Sequence, residues 1–301
     1  MDTMRERFLA TTSALLDEDP RLAVVLAEIS KAGLEPTIRR HPDRVVNVGI
    51  REQLLVGAGA GMALTGMRPI VHTFAAFLVE RAFEQVKLDF GHQDVGGVLV
   101  SSYGSYDWPA GGFTHMSPGD MALMGTLDGW TLQVPGHPDE AEALLRQAAD
   151  RTDRTYLRLS DRANSLPQPL DGSRMVTVRR GSPSAAVVLA VGPLLDHVLT
   201  ATEDLDVTVL YVTTTRPLDA RTLREAVGVG ADAAVVLVEP YVEGTSVAAV
   251  EAALSDRPHR TLALGTRREE LRRYGTAEEH ERAHGLDPAS LRKRIAGFLD
   301  R

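Results

Sequence analysis

The residues best placed to do chemistry lie in Asn47-Val-Gly-Ile-Arg-Glu52-Gln53, ahead of a glycine-rich run at 54–64 and the segment PIVHTFAAF at 69–77. Glu52 stands between a strand end and a helix start, the crevice in which α/β sheets bind ligands. A carboxylate there has two readings. At a helix N-terminus it meets the positive end of the macrodipole and needs no further role. Partly buried in a crevice, its pKa rises and it can share a proton with a ring nitrogen, which is acid–base chemistry. Other routes to chemistry are closed by composition. The chain has Cys 0, which removes thiol nucleophiles, Fe–S clusters and cysteine-type zinc sites. It has no P-loop, no Gly-x-Gly-x-x-Gly after a strand and no His-Glu-x-x-His.

Positioning Glu52 needs a parallel sheet. Residues 4–16 have helical spacing, with Phe8, Leu9, Leu15 and Leu16 as apolar positions, and Asp19-Pro20 ends that helix. The short apolar runs 22–29, 45–48, 69–73, 95–101 and 131–134 read as buried strands. Helices are expected at 52–64, about 77–90, 117–127 and 138–149. Gly57, Gly59 and Gly61 each weaken the first of these by ~1 kcal/mol, which argues for close approach of another backbone. The stretch 163–180 holds Pro167, Pro169 and Gly172 without periodicity and reads as a linker. Further strands at 185–191, 207–212 and 233–238, with a closing amphipathic helix at 288–299, make a second unit. The expected organisation is two α/β domains in series, 1–165 and 181–301, joined by a linker at 166–180, each with a mostly parallel sheet flanked by helices.

At 301 residues the chain has the length of two domains. Its charge, 33 − 41 = −8 with neutral His, and the lack of a basic block argue against nucleic acid. No long apolar run marks a signal peptide or a membrane span, so a soluble cytoplasmic protein is expected.

The segment HPDRVVNVGIREQLLVGAGAGMALTGMRPIVHTFAAF resembles the C-terminal half of transketolase-like thiamine diphosphate enzymes. GGFTHMSPGDMALM, TTTRPLD, VEPYVEGT and HGLDPASL extend the resemblance, in order, over nearly the whole chain. It implies a pyrimidine-binding domain followed by a transketolase C-terminal domain. It also implies that Glu52 shares a proton with the cofactor's aminopyrimidine, flanked by Phe74 and Phe77, with Gly49, Ile50 and Arg81 completing the cofactor side. Phe74 and Phe77 also read as core phenylalanines. His115 falls where the family has a histidine near the reacting carbon, a role suited to a group that titrates near neutrality; as a loop residue it also reads as solvent-exposed. His72, Arg158 and Arg162 are the further substrate-side candidates, whereas His41, His92 and His137 read as surface residues.

Departures bear on substrate. Gly111 stands where sugar-phosphate members have Asp, and Asp161 where many relatives have Arg, so the substrate is expected to differ from a standard sugar phosphate. The resemblance also implies Mg2+ held by a Gly-Asp-Gly segment and a later Asn, and no Gly-Asp-Gly occurs; Gly119-Asp120-Met121 has no suitable Asn after it. The expectation is therefore the β-type subunit of a split enzyme moving a two-carbon ketol or acyl unit. Its partner, in a heterodimer or α2β2 heterotetramer, supplies the diphosphate and metal ligands. Alternatives are a 2-oxoacid dehydrogenase-type or hybrid β-subunit passing the unit to a lipoyl or carrier-protein thiol, a 1-deoxyxylulose-phosphate-synthase-like carboligase, and a non-catalytic regulatory subunit.

Overall fold

The computed structural model describes residues 2–227 and 233–300. Helix α1 (Met4–Glu18) starts at a capping box, in which the Glu6 N–H donates to the Thr3 hydroxyl oxygen and the Thr3 N–H donates to the Glu6 carboxylate. It buries Phe8, Leu15 and Leu16, with Leu9 half-buried. Strand β1 (Leu22–Leu26), helix α2 (Lys31–Arg40), strand β2 (Val45–Asn47), helix α3 (Glu52–Leu64) and strand β3 (Arg68–Phe74) follow. Two π-helical turns, Ala76–Arg81 and Val86–His92, then flank the short α4 (Phe83–Gln85). Next come β4 (Gly97–Ser102), α5 (Asp120–Gly125), β5 (Trp130–Gln133), α6 (Pro138–Asp150) and β6 (Arg154–Arg158). The remainder holds β7 (Val176–Arg179), β8 (Ala186–Val191), α7 (Leu195–Ala201), β9 (Val207–Val212), β10 (Thr214–Arg216), α8 (Ala220–Val227), β11 (Ala233–Val242), α9 (Val247–Ala253), β12 (His259–Thr266), α10 (Ala277–His284) and α11 (Pro288–Leu299).

The strands form two sheets flanked by helices, a seven-stranded one in the order β10-β5-β6-β4-β3-β1-β2 and a five-stranded one in the order β12-β11-β8-β9-β7. Pairing is parallel throughout except at β10–β5 and β7–β9. Parallel strands covered on both faces must be apolar along their length, and all five residues of β1 are buried. Each fully buried Val or Leu contributes about 1.5–3 kcal/mol. In the first sheet β1 lies between β2 and β3, so the direction of winding reverses beside it and a crevice opens at the carboxyl ends of β1 and β3. One apolar cluster joins the sheets, with Leu132 and Val134 of the first packed in the same body as Leu210, Val212 and Leu237 of the second.

Several local details differ from the sequence reading. β1 stops at Leu26, because Glu28 and Ser30 take positive φ values of 63° and 65°. The interior Pro36 masked α2. Val176–Arg179, expected to lie in the linker, is an edge strand of the second sheet. β10 crosses back to the first sheet despite its place in the second half of the chain. Of the three helix glycines, Gly59 is required by packing, and against side chains rather than backbone: a Cβ there would sit 2.5 Å from Val71 Cγ2. Around Gly61 there is open space.

Candidate active site

The crevice is built from the ends of β1, β3 and β4 and the start of α3. Gly49, at φ 74°, makes the turn between β2 and α3. Its N–H donates to Asn47 Oδ1 at 3.2 Å, and its carbonyl accepts from the Arg51 N–H at 2.7 Å. That turn delivers Glu52 as the first residue of α3, where its charge meets the helix dipole. The side chain is 2% exposed, and its Oε2 accepts from Arg81 Nη1 at 2.8 Å. Oε1 has no hydrogen-bond partner among the described residues. The Arg81 guanidinium carbon lies 3.9 Å from the centre of the Phe77 ring, and the Arg81 carbonyl accepts from Gln53 Nε2 at 3.1 Å. Arg81 is thus clamped between α3 and the first π turn, and a π turn, wider than an α turn, is a recurrent device at functional sites.

Phe74, at the end of β3, is the hub of an aromatic cluster. Its ring centre lies 5.6 Å from Phe77, 5.1 Å from Tyr103, 5.7 Å from Trp108 and 5.8 Å from His115. His115 presents its imidazole edge-on to Phe77 at 5.1 Å and to Trp108 at 4.9 Å. Because the Gly111 carbonyl can only accept, the 3.0 Å contact from His115 Nδ1 makes Nδ1 the protonated nitrogen of the neutral ring. Nε2 is left with a lone pair and no partner among the described residues. The fold therefore brings together Gly49, Glu52, Phe74, Phe77, Arg81 and His115. Ile50 stands beside them, 70% exposed, with Leu54 at 52%.

Three residues expected on the substrate side are elsewhere. His72 is fully buried in β3, donating from Nδ1 to the Val100 carbonyl at 2.9 Å and accepting at Nε2 from the Ser30 hydroxyl at 2.9 Å. Burial lowers its pKa to about 4, so it is a neutral pin that holds Ser30 in its left-handed conformation. Arg158 is 1% exposed, donating to Asp120 Oδ2 at 2.7 Å and Ser105 Oγ at 2.8 Å. Arg162 is ion-paired with the buried Glu281 of α10, which also contacts His197 Nδ1 at 3.1 Å. The Arg158 guanidinium is enclosed by the protein, and that of Arg162 is partly committed to Glu281. His137, read as a surface residue, is buried and caps α6, accepting from the Asp139 N–H at 3.1 Å.

Tyr103, Trp108 and Asp107 escape the sequence reading. Their signal is present in Tyr103-Gly-Ser-Tyr-Asp-Trp108, an aromatic-dense stretch in a chain with 5% aromatics. Burial pushes the Asp107 carboxyl up to about 7. Asp161 lies beside it, its N–H donating to Asp107 Oδ2 at 3.3 Å, and burial raises its carboxyl too. Arg5 of α1 reaches the cluster with its guanidinium carbon 5.4 Å from the Tyr103 ring centre. Among the described residues no group of three or more His, Cys, Asp or Glu is arranged to hold a metal ion, and no helix is long and apolar enough to cross a membrane.

A buried carboxylate at a helix start and a cluster of aromatic rings thus lie at the switch point of a parallel sheet. The family model described as transketolase, pyrimidine binding domain, matches residues 2–165, and the chain belongs to that family. It is 50% identical, over 97% of its length and 93% of the relative's, to an uncharacterized 33.6 kDa protein in the fasciation locus of Rhodococcoides fascians. It is 31% identical to the B subunit of the apulose-4-phosphate transketolase of Actinobacillus succinogenes, over 74% of this chain and 73% of that one. The 1-deoxy-D-xylulose-5-phosphate synthase of Alkalilimnicola ehrlichii matches at 30% identity over 95% of this chain but only 46% of its own length. A solved structure described as a split gene transketolase, inactive beta4 tetramer, has the same fold, with a TM-score of 0.84 and 23% identity over 99% of this chain and 98% of that chain.

Proposed function

We propose that this chain is the β-type subunit of a split, thiamine diphosphate-dependent transketolase-like enzyme that transfers a two-carbon ketol or acyl unit. The observation that carries the reading is the pairing of a buried Glu52, with one carboxylate oxygen unpartnered, and the Phe74–Phe77–His115 cluster. Likeness to a separately encoded transketolase subunit of similar extent supports the split organisation.

The residues present fit the pyrimidine end of that cofactor: a free carboxylate oxygen for a ring nitrogen, and apolar rings for its faces. The cofactor, when bound, supplies a nucleophilic carbon that accepts and releases the two-carbon unit. Glu52 holds a proton toward the ring nitrogen from its unpartnered Oε1, while Arg81 fixes Oε2 and so the carboxylate plane. Phe74 and Phe77 exclude water, which strengthens each electrostatic contact inside the crevice. His115 uses its Nε2 lone pair to take a proton from a substrate hydroxyl and return it later, with Nδ1 locked on Gly111. Exposed Ile50 and Leu54, flanking Glu52, form the face for a partner chain that carries the diphosphate and Mg2+ ligands. With Arg158 enclosed and Arg162 partly committed to Glu281, Arg5, Tyr103, Asp107 and Asp161 join Arg162 as the groups that meet the substrate's far end.

The test is co-expression with a candidate diphosphate-binding subunit sought in the neighbouring reading frames, followed by a screen of ketose, ketose-phosphate and 2-oxoacid donors with thiamine diphosphate and Mg2+. Two-carbon transfer by the complex, absent from either chain alone, is expected. A complex shown to be fully loaded with cofactor that transfers nothing from any donor would overturn the reading in favour of a regulatory subunit.

A further inference from the structure

Helix α11 carries Ser290, Lys293, Arg294, Gly297 and Phe298 at helical spacing, which places them on one face. That face, the C-terminal end of α10 and the exit of β12 enclose a groove of about 680 Å3, within the roughly 300–1,000 Å3 range of small-molecule sites. Four cations line it, Arg267, Arg282, Lys293 and Arg294, and its described lining contains no carboxylate. They gather in a chain whose net charge is −8.

The charges are poorly compensated. Arg282 and Lys293 have no ion-pair partner among the described residues. Arg267 and Arg294 have Glu269 and Glu243 only at 3.9 Å, with the guanidinium side chains 47% and 38% exposed, and Arg267 Nη2 also donates to the Ala283 carbonyl. Cations gathered for structure alone are paired with acids, as Arg162 is with Glu281; four facing one concavity, two of them loosely paired and two without an ion pair among the described residues, repel each other and concentrate anions. Arginine forks match phosphate oxygens two at a time, and a lysine adds a mobile point charge. The floor is apolar, made by Leu262 and Phe298, and Gly297 leaves it open, since a Cβ there would meet nothing within 4 Å.

We propose that this groove binds an organic diphosphate of the nucleotide type, its phosphates on Arg267, Arg282, Lys293 and Arg294 and its planar body over Leu262 and Phe298. The site lies in the second half of the chain and stands or falls separately from the Glu52 crevice.

The test is titration calorimetry on the full chain with ADP, inorganic pyrophosphate and adenosine as probes, at low and at high salt. ADP is expected to bind more tightly than pyrophosphate, adenosine not measurably, and ADP affinity to fall with salt. The Arg282→Gln/Lys293→Gln variant, which alters two exposed side chains, is expected to weaken ADP binding about tenfold or more, whereas Glu52→Gln leaves it unchanged. No ADP binding, or an affinity unchanged in the double variant whose fold is verified by circular dichroism, overturns the proposal. Capture of polyglutamate without ADP binding does so too, assigning the groove to an acidic protein partner. Pyrophosphate binding as tightly as ADP removes the role of the apolar floor and with it the nucleotide assignment.

Discussion

The Glu52 carboxylate and the Arg81 guanidinium meet at 2.8 Å with sharply unequal exposure, the acid at 2% and the base at 40%. The carboxylate therefore depends on one cation that solvent can reach. Removing that cation leaves a buried carboxylate without its ion-pair partner. Arg81→Met is expected to lower stability by about 1–2 kcal/mol at neutral pH, less than for a fully buried pair because Arg81 is half in water. Urea unfolding at pH 7 checks it, and an unchanged midpoint would show that the pair contributes nothing to stability.

Glu52→Gln keeps the size of the side chain but not its ability to hold and release a proton. In the reconstituted complex, exchange of the thiazolium C2 proton, followed by NMR, is expected to slow by ~10²–10⁴-fold, the usual worth of acid–base assistance. Cofactor affinity falls less, because Phe74, Phe77 and the partner remain. Native exchange in a fully loaded mutant would reduce Glu52 to a helix-start charge.

Gly111 has no room for a side chain. A Cβ there would lie 2.8 Å from Trp108 Cε3 and 3.0 Å from both Cβ and Cγ of His115. Gly111→Ala is expected to cost about 1–3 kcal/mol of stability, the usual penalty of overpacking, and to lower kcat by displacing His115. Thermal unfolding and steady-state kinetics on the same preparation test both. An Asp at this position cannot be introduced simply to read a donor hydroxyl, because Trp108 already occupies the space.

His72 gives the fold a pH dependence. Its folded pKa, about 4, lies below the unfolded value of about 6.5, so the unfolded chain binds the extra proton. The stability it contributes is fully present above pH 6.5 and is lost as pH falls toward 4, by about 3 kcal/mol at most. A His72→Gln variant should lose stability less steeply between pH 7 and 5. Parallel pH profiles of the two proteins would refute the assignment.

What could be read from the sequence was what is local. Glu52, Phe74, Phe77 and Arg81 sit within 30 residues of one another in one helix–strand–π-turn passage, and the structure assembles them as a group. The misplaced residues are those whose partners are distant in sequence. His72 bonds residues 28 and 42 positions away, and Arg158 bonds residues 38 and 53 away. No spacing rule forecasts that Asp120 or Glu281 will reach an arginine first. Arg5 escaped notice for the converse reason: in an ordinary amphipathic helix it carries no local mark, and only the packing of α1 brings it to Tyr103.

Strand β10 has a consequence for dissection of the molecule. Thr214–Arg216 caps β5 by antiparallel pairing, with the Val134 N–H donating to the Thr213 carbonyl at 2.7 Å just beyond the ladder. Any fragment ending before Thr214 leaves the N–H and C=O groups of β5 unpaired along one side of a seven-stranded sheet, now of six. Bare edges of that kind recruit strands from other molecules. Expressed alone, the cofactor-facing half is therefore expected to self-associate through β5, by borrowing the missing strand or by fibril-like stacking, so its boundary in space lies some fifty residues beyond its boundary in sequence.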